Sequence, residues 1–120
     1  MTDEITLTLP RERPYFGIAH LVLGGFAVRL DLTLEHLDDL QLALDGVLDR
    51  RGAGDEEVTL NVRLEGDVLT ARLGPFDAGR LRGDLEAGDR EGIGLRRLLN
   101  TVVDSAQVDG RYIELTKTVR

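Results

Sequence analysis

A chain of 120 residues, 42% hydrophobic and 31% charged, has room for one core and enough apolar surface to fill it; disorder is excluded and a single domain over 1–120 is expected. Fifteen Lys and Arg, scattered among 22 Asp and Glu, leave a net charge of −7 that excludes nucleic acid and anionic membrane as partners. With no cysteine and two histidines there is no disulfide, no thiolate nucleophile and no Cys- or His-rich metal centre.

The opening Met1-Thr2-Asp3-Glu4 is acidic where a signal peptide is basic, and no apolar run nears the roughly 20 residues of a membrane span, so a cytoplasmic protein is expected. Ile5, Leu7 and Leu9 alternate with Thr6 and Thr8, which predicts a strand ended by Pro10. From Pro14 the spacing changes to three and four, and Ile18, Leu21, Val22, Phe26 and Leu30 predict the buried face of a helix. Within it Gly24-Gly25 would cost about 1 kcal/mol per residue against Ala, so the pair marks close contact with a neighbour.

Thr33 can cap a second helix, with Leu34, Leu37, Leu40, Leu44, Val47 and Leu48 as the buried stripe and Glu35, Asp38, Asp39, Asp45 and Asp49 turned to water. Arg50-Arg51 suit the negative end of that helix, and Gly52-Ala53-Gly54 stops it. Val58, Leu60, Val62 and Leu64 alternate, Glu65-Gly66-Asp67 turns, and Val68 to Leu73 returns as a hairpin. From Gly74 to Glu91 periodicity vanishes and a long Gly-rich loop is expected. A third helix follows from about Ile93 with Leu95, Leu98, Leu99, Val102 and Val103; Ala106 to Val108, an Asp109-Gly110 turn, and Tyr112, Ile113, Leu115 and Val119 close the chain as a hairpin. This order predicts an α+β fold: a two-layer sandwich, its sheet mixed but mostly antiparallel, with the helices on one face.

The order of elements and the segment Glu91-Gly92-Ile93-Gly94-Leu95-Arg96-Arg97-Leu98-Leu99 resemble the histidine-kinase-like ATPase domains of the Bergerat fold, and among them the bacterial anti-sigma-factor serine kinases. The likeness runs from the Ile5 strand through Leu37-Asp38-Asp39-Leu40-Gln41-Leu42-Ala43-Leu44 to the terminal Ile113-Glu114-Leu115-Thr116-Lys117. Active members carry Ser-Glu-x-x-x-Asn on the second helix, where Glu serves the nucleophile and Asn holds Mg²⁺. The matching stretch is Asp45-Gly46-Val47-Leu48-Asp49-Arg50, so the resemblance puts Gly46 in the Glu position and Arg50, which cannot ligate a cation, in the Asn position. In the family's Asp-x-Gly-x-Gly, which reads adenine, the Asp falls on Arg72 within Arg72-Leu73-Gly74-Pro75-Phe76-Asp77 and the second Gly is missing. Gly92 and Gly94, at the head of the third helix, remain as a remnant phosphate-binding pair.

The resemblance therefore implies a catalytically degenerate member, a pseudokinase-like regulatory module with no catalytic residue, no metal and no cofactor. Its partners would be proteins: a sigma factor, an anti-sigma antagonist domain, a kinase-like paralogue or a second copy of itself. Because the family meets other proteins through its first helix, Tyr15, Phe16 and His20 are the candidate protein-binding residues. An active ATP- and Mg²⁺-dependent serine kinase is the alternative, with Asp45 or Asp49 standing in for the lost pair; a sensor of small molecules in the emptied pocket is a third. The loop from Gly74 would close over nucleotide in active relatives, and here would exchange its amides quickly or pack down through Phe76, Leu81 and Leu85. His36 and the pair Arg96-Arg97 read as solvated, and Ser105, the only serine, has no histidine tied to it for a hydrolase triad.

Overall fold

The computed structural model describes residues 2–51, 57–88 and 94–119, with backbone alone at 2, 49–51 and 78. Along these residues run β1 (Thr2–Pro10), α1 (Arg13–Arg29), α2 (Leu34–Arg51), β2 (Glu57–Glu65), β3 (Val68–Gly74), α3 (Ala78–Glu86), α4 (Leu95–Val102), β4 (Ser105–Asp109) and β5 (Tyr112–Thr118). The strands form one sheet in the order β1-β2-β3-β5-β4. It is antiparallel at each of its four pairings, in line with the mostly antiparallel sheet expected and without the parallel pair that a mixed sheet would add. Strict alternation fixes the register: Ile5, Val62, Ala71, Leu115 and Ala106 stand side by side across all five strands. Slipping one strand by a residue would turn its members of that row to water. Gly66, at φ +59, supplies the left-handed backbone for the two-residue turn from β2 to β3.

The α1–α2 hairpin is held by its caps. Thr33 Oγ1 accepts the His36 backbone N–H at 3.1 Å, as the cap prediction required. At the end of α1 the Leu32 N–H donates to Ala27 O at 2.9 Å and the Asp31 N–H to Val28 O at 3.1 Å, closing a Schellman motif around Asp31 at φ 57. Lys117 then ties the two layers together. Its Nζ donates to Val102 O at 2.9 Å, at the end of α4, and lies 3.2 Å from Asp39 Oδ2 on α2.

Three expectations are corrected. The buried face of α1 is Ala19, Leu23, Phe26 and Ala27, while Ile18 and Leu21, assigned to the core, are exposed. The helix is apolar nearly all round, so periodicity alone could not choose its inner face. Leu34, placed in the buried stripe of α2, is also exposed, at the first residue of the helix. The expected loop after Gly74 contains α3, which starts where Asp77 Oδ1 accepts the Arg80 N–H at 2.9 Å and which buries Leu81 and Leu85.

At the end of β5 the Thr118 N–H donates to Asp104 Oδ2 at 2.6 Å. That backbone donor, with the Thr118 hydroxyl, holds the Asp104 carboxyl below its ordinary value of 3.8. A carboxyl lowered in the folded state adds stability above its unfolded pKa and loses it as pH falls through the folded value. Urea melts of wild type and Asp104→Asn should therefore differ at pH 7, and the gap should close as the pH falls below the carboxylate range. A gap that is independent of pH would show that the charge on Asp104 contributes nothing.

Candidate functional site

The resemblance places nucleotide chemistry between the second helix and the helix that follows Gly94. In the structure α2 and α4 pack directly against each other there. A Cβ added to Gly46 would lie 2.4 Å from Leu98 Cδ2 and 3.7 Å from Leu95 Cδ1, so the position assigned to the catalytic Glu has no room for a side chain while Leu98 stays in place. Leu95 and Leu99 are fully buried beside it. Asp45, the candidate stand-in, turns the other way: its Oδ1 is 2.7 Å from His20 Nε2 on α1. The side chains of Asp49 and Arg50, and the whole of Gly92, lie outside the described residues. Gly94 is buried at the N-cap of α4 with φ −67, an ordinary backbone conformation, and its carbonyl accepts the Leu98 N–H at 3.0 Å.

Arg72, at the adenine-reading position, does not face the helices. It alternates with buried Ala71 and Leu73 and so stands on the outer face of the sheet. There its guanidinium is 2.9 Å from Asp109 Oδ2, 3.3 Å from Glu114 Oε2 and 4.6 Å from the centre of the Tyr112 ring. The hydrogen bond to Asp109 is the main cause holding Arg72 protonated beyond its usual range. Gly74 is boxed in: an added Cβ would meet Arg111 O and Tyr112 Cδ2 at 2.7 Å each. Beyond it Phe76 is buried, its N–H donating to Arg111 O at 2.6 Å while Arg111 Nε donates to Phe76 O at 3.2 Å. Arg11 covers that ring at 4.9 Å and donates to the Pro75 carbonyl. Phe76, Leu81 and Leu85 thus pack the segment after β3 down onto the core, the second of the two arrangements anticipated for it.

Among the described residues, grooves of about 390 Å³ lie at this end of the molecule, one bordered by Arg82, Leu85, Arg96 and Val108 and another by Glu86, Gly94, Arg97 and Thr101. No residue of α2 lines either. Arg96, read as solvated, is exposed but also donates to Ala106 O at 3.2 Å, fastening α4 to β4. His36 is half-buried rather than solvated, and its Nδ1 has no hydrogen-bond partner. Among the described residues no cluster of three or more His, Cys, Asp or Glu could hold a metal ion. Nor is any of the described helices long and apolar enough to cross a membrane.

The three candidate protein-binding residues do not share one surface. At 100° per residue Tyr15 points away from His20 and Phe16. Tyr15 is exposed, Phe16 packs half-buried against the core, and His20 bridges to Asp45 while its carbonyl accepts from Gln41 Nε2 at 3.2 Å. A Cβ built on Gly24 or Gly25 meets nothing within 4 Å, which corrects the expectation that the pair marks close contact with a neighbour. Besides Tyr15, the accessible large apolar residues of α1 are Ile18, Leu21 and Val28, with Pro14, Gly17 and Gly25 also exposed. Sequence reasoning missed this face by assigning Ile18 and Leu21 to the core. The signal that could have found it is the absence of any charged residue from 14 to 28, since a helix apolar all round has a second face to cover.

No family model matches the chain. It is similar to the serine-protein kinase RsbW of Listeria monocytogenes (serovar 1/2a, strain EGD-e), 27% identical over an alignment of 144 residues that takes in 99% of this chain and 89% of the relative. The serine-protein kinase RsbW of Halalkalibacterium halodurans is 25% identical over 138 residues, 96% of this chain and 83% of the relative. Among solved structures, that of the RsbU and RsbW domains of Rv1364c from Mycobacterium tuberculosis superposes with a TM-score of 0.68 over 98% of this chain, at 12% identity. This chain spans about a third of that longer one, 32%. The likeness establishes the fold as that of the histidine-kinase-like ATPases, and the full-length relatives support the anti-sigma-factor kinase family.

Proposed function

We propose that this protein is a partner-switching regulator of the anti-sigma-factor type that works by binding other proteins and does not transfer phosphate. Its partners would be a sigma factor or the antagonist domain that competes for one. The observation that carries this reading is the packing of Leu98 onto Gly46, which fills the place where a kinase of this family needs a carboxylate. Two further features agree with it: Arg72 stands on the outer face of the sheet, and Asp45 is engaged by His20. The residues present do not fit ATP and Mg²⁺: Gly46 offers no carboxylate, and Arg72 is turned to the outer face of the sheet beside Asp109. An active serine kinase is the activity named for the relatives, and it would require Leu98 to leave Gly46 and a new carboxylate to enter.

A thermal melt with ATP, with and without Mg²⁺, tests the reading. Ligand at 100 times its Kd adds about 2.7 kcal/mol, a shift of several degrees for a chain of this size. No shift is expected at millimolar ATP. A rise in Tm that depends on Mg²⁺ would return the protein to the kinases.

A further inference from the structure

The sheet has an open edge at β4. This strand ends the strand order next to β5, and no described strand lies on its other side. The two-residue turn at Gly110-Arg111 makes Asp109 and Tyr112 a hydrogen-bonded pair, and the ladder alternates from there along the strand. Gln107 therefore bonds to β5, while the N–H and C=O groups of Ala106 and Val108 point away from the sheet. Of these groups Ala106 O is engaged by a side chain, accepting from Arg96 Nη1 at 3.2 Å. No backbone group among the described residues pairs with the others.

The same edge borders a groove. About 390 Å³ of space lies between β4 and the helices, walled by Arg82, Leu85 and Glu86 on α3, Arg96 on α4, and Ala106 and Val108 on β4. Ala106 and Val108 are two residues apart and so turn to the same side of the sheet, the helix side, where Ala106 stands in the buried row with Leu115. The groove is separate from the position assigned to the catalytic Glu. Arg96 lies about 160° around α4 from Leu98, the residue that covers Gly46.

Charge identifies what fits the groove. Arg82 and Arg96 are both exposed and face Glu86 alone, so this is a positive site on a chain of net charge −7. A strand added to the edge sends alternate side chains to the helix side. One of them can rest on Leu85 and Val108, and the next, two residues on, can place a carboxylate between Arg82 and Arg96. The strand's own N–H can take over Ala106 O, which frees the Arg96 guanidinium to meet that carboxylate. A second copy of this chain joined through its own β4 would instead crowd two such arginine pairs along one seam.

We infer that β4 is the acceptor edge for an extended acidic segment of a partner protein, which adds as a further strand and sets an apolar side chain and a carboxylate, two residues apart, into the groove beside it. This site is additional to a sigma-factor or antagonist contact and does not depend on whether the protein transfers phosphate. β4 has 5 residues, so a segment of about 5–7 residues spans it.

The test titrates short peptides of that length into the isotope-labelled full chain and follows its amide resonances by NMR. The first peptide alternates Thr with Val and Glu, the second has Lys in place of Glu, and the third is the first with its amides N-methylated. The Glu peptide is expected to shift the amides of Ala106 and Val108 most, to slow their exchange with solvent, and to bind at least about tenfold more tightly than either control at low salt. Arg82→Gln, at an exposed position, should weaken that binding and its dependence on salt while leaving Tm unchanged. Val108→Pro removes one edge donor, a change that an edge strand tolerates, and should weaken binding by at least about tenfold. The N-methylated peptide makes the same comparison without any variant. Equal binding of the Lys or N-methylated peptide, shifts centred away from β4 and the groove, or no saturable shift with the Glu peptide at millimolar concentration would overturn the proposal. So would a dimer in sedimentation equilibrium that Val108→Pro converts to monomer, because a second copy would then hold the edge.

Discussion

Replacing Gly46 with glutamate will destabilise the protein by about 1–3 kcal/mol, the scale of an overpacked side chain, and will not bring ATP-dependent phosphorylation with it. The added Cβ alone comes within 2.4 Å of Leu98 Cδ2. Leu98, half-buried, must swing aside to admit it, while Leu95 Cδ1, at 3.7 Å, is in ordinary contact and limits where the rest of the side chain can go. Gly46→Ala tests the contact more finely, since the gain in helix propensity of about 1 kcal/mol is set against the displacement of Leu98. Adding Leu98→Ala removes that obstacle, so a double-mutant cycle by urea denaturation should show favourable coupling of about 1 kcal/mol between the two changes. If Gly46→Glu is as stable as wild type, α4 does not close over α2 in solution and the case for a non-kinase weakens with it.

Truncating Phe76 to Ala will cost about 3–5 kcal/mol, as for other fully buried aromatic residues. The ring is 1% exposed and lies under the Arg11 guanidinium at 4.9 Å. Its loss opens a cavity below α3 and leaves Arg11, itself nearly buried, without the aromatic face it covers. The damage should be local as well as global. Amide exchange along residues 81–86 should accelerate more than in β2 and β3, because α3 is short and is held largely through Leu81, Leu85 and the segment that Phe76 anchors. Phe76→Leu, which keeps most of the volume, should recover more than half of the loss. A uniform rise in exchange across the sheet, with α3 no faster than the rest, would contradict this account.

The strands were legible because their signal is local: alternation in Val58 to Leu64 fixes which side chains are inside without knowledge of any partner. The Thr33 cap was legible for the same reason. α3 was not, since Gly79, Gly83 and Gly88 dilute its pattern to two apolar anchors; Asp77 followed by the Arg80 N–H was the one start signal available. α1 misled in the opposite way, by having more apolar positions than one face can hold. The candidate site depends on pairs far apart in sequence. Gly46 with Leu98, His20 with Asp45 and Arg11 with Phe76 are each brought together by the packing of separate elements, and composition and spacing carry no trace of that. The resemblance did locate Gly46 as the residue to inspect, although it gave no reason for a glycine there; the reason is Leu98.

The pairing of β1 with β2 also has a consequence in time. Pro10 lies opposite Glu57 and Thr2 opposite Glu65, so the first strand has no neighbour until the chain is more than half made. At about 5–20 residues per second a ribosome leaves it waiting for several seconds, with the α1–α2 hairpin already formed beside it. Throughout that interval the nascent chain displays both faces of α1, the one its sheet will cover and the one that stays in water. β2 and β3 join by a two-residue turn, whereas β1 must close a loop of nearly 50 residues to reach β2, and β5 one of nearly 40 to reach β3. The strand that is synthesised first thus waits for its neighbour, and helix α1, the first of the described helices to be made, waits with it.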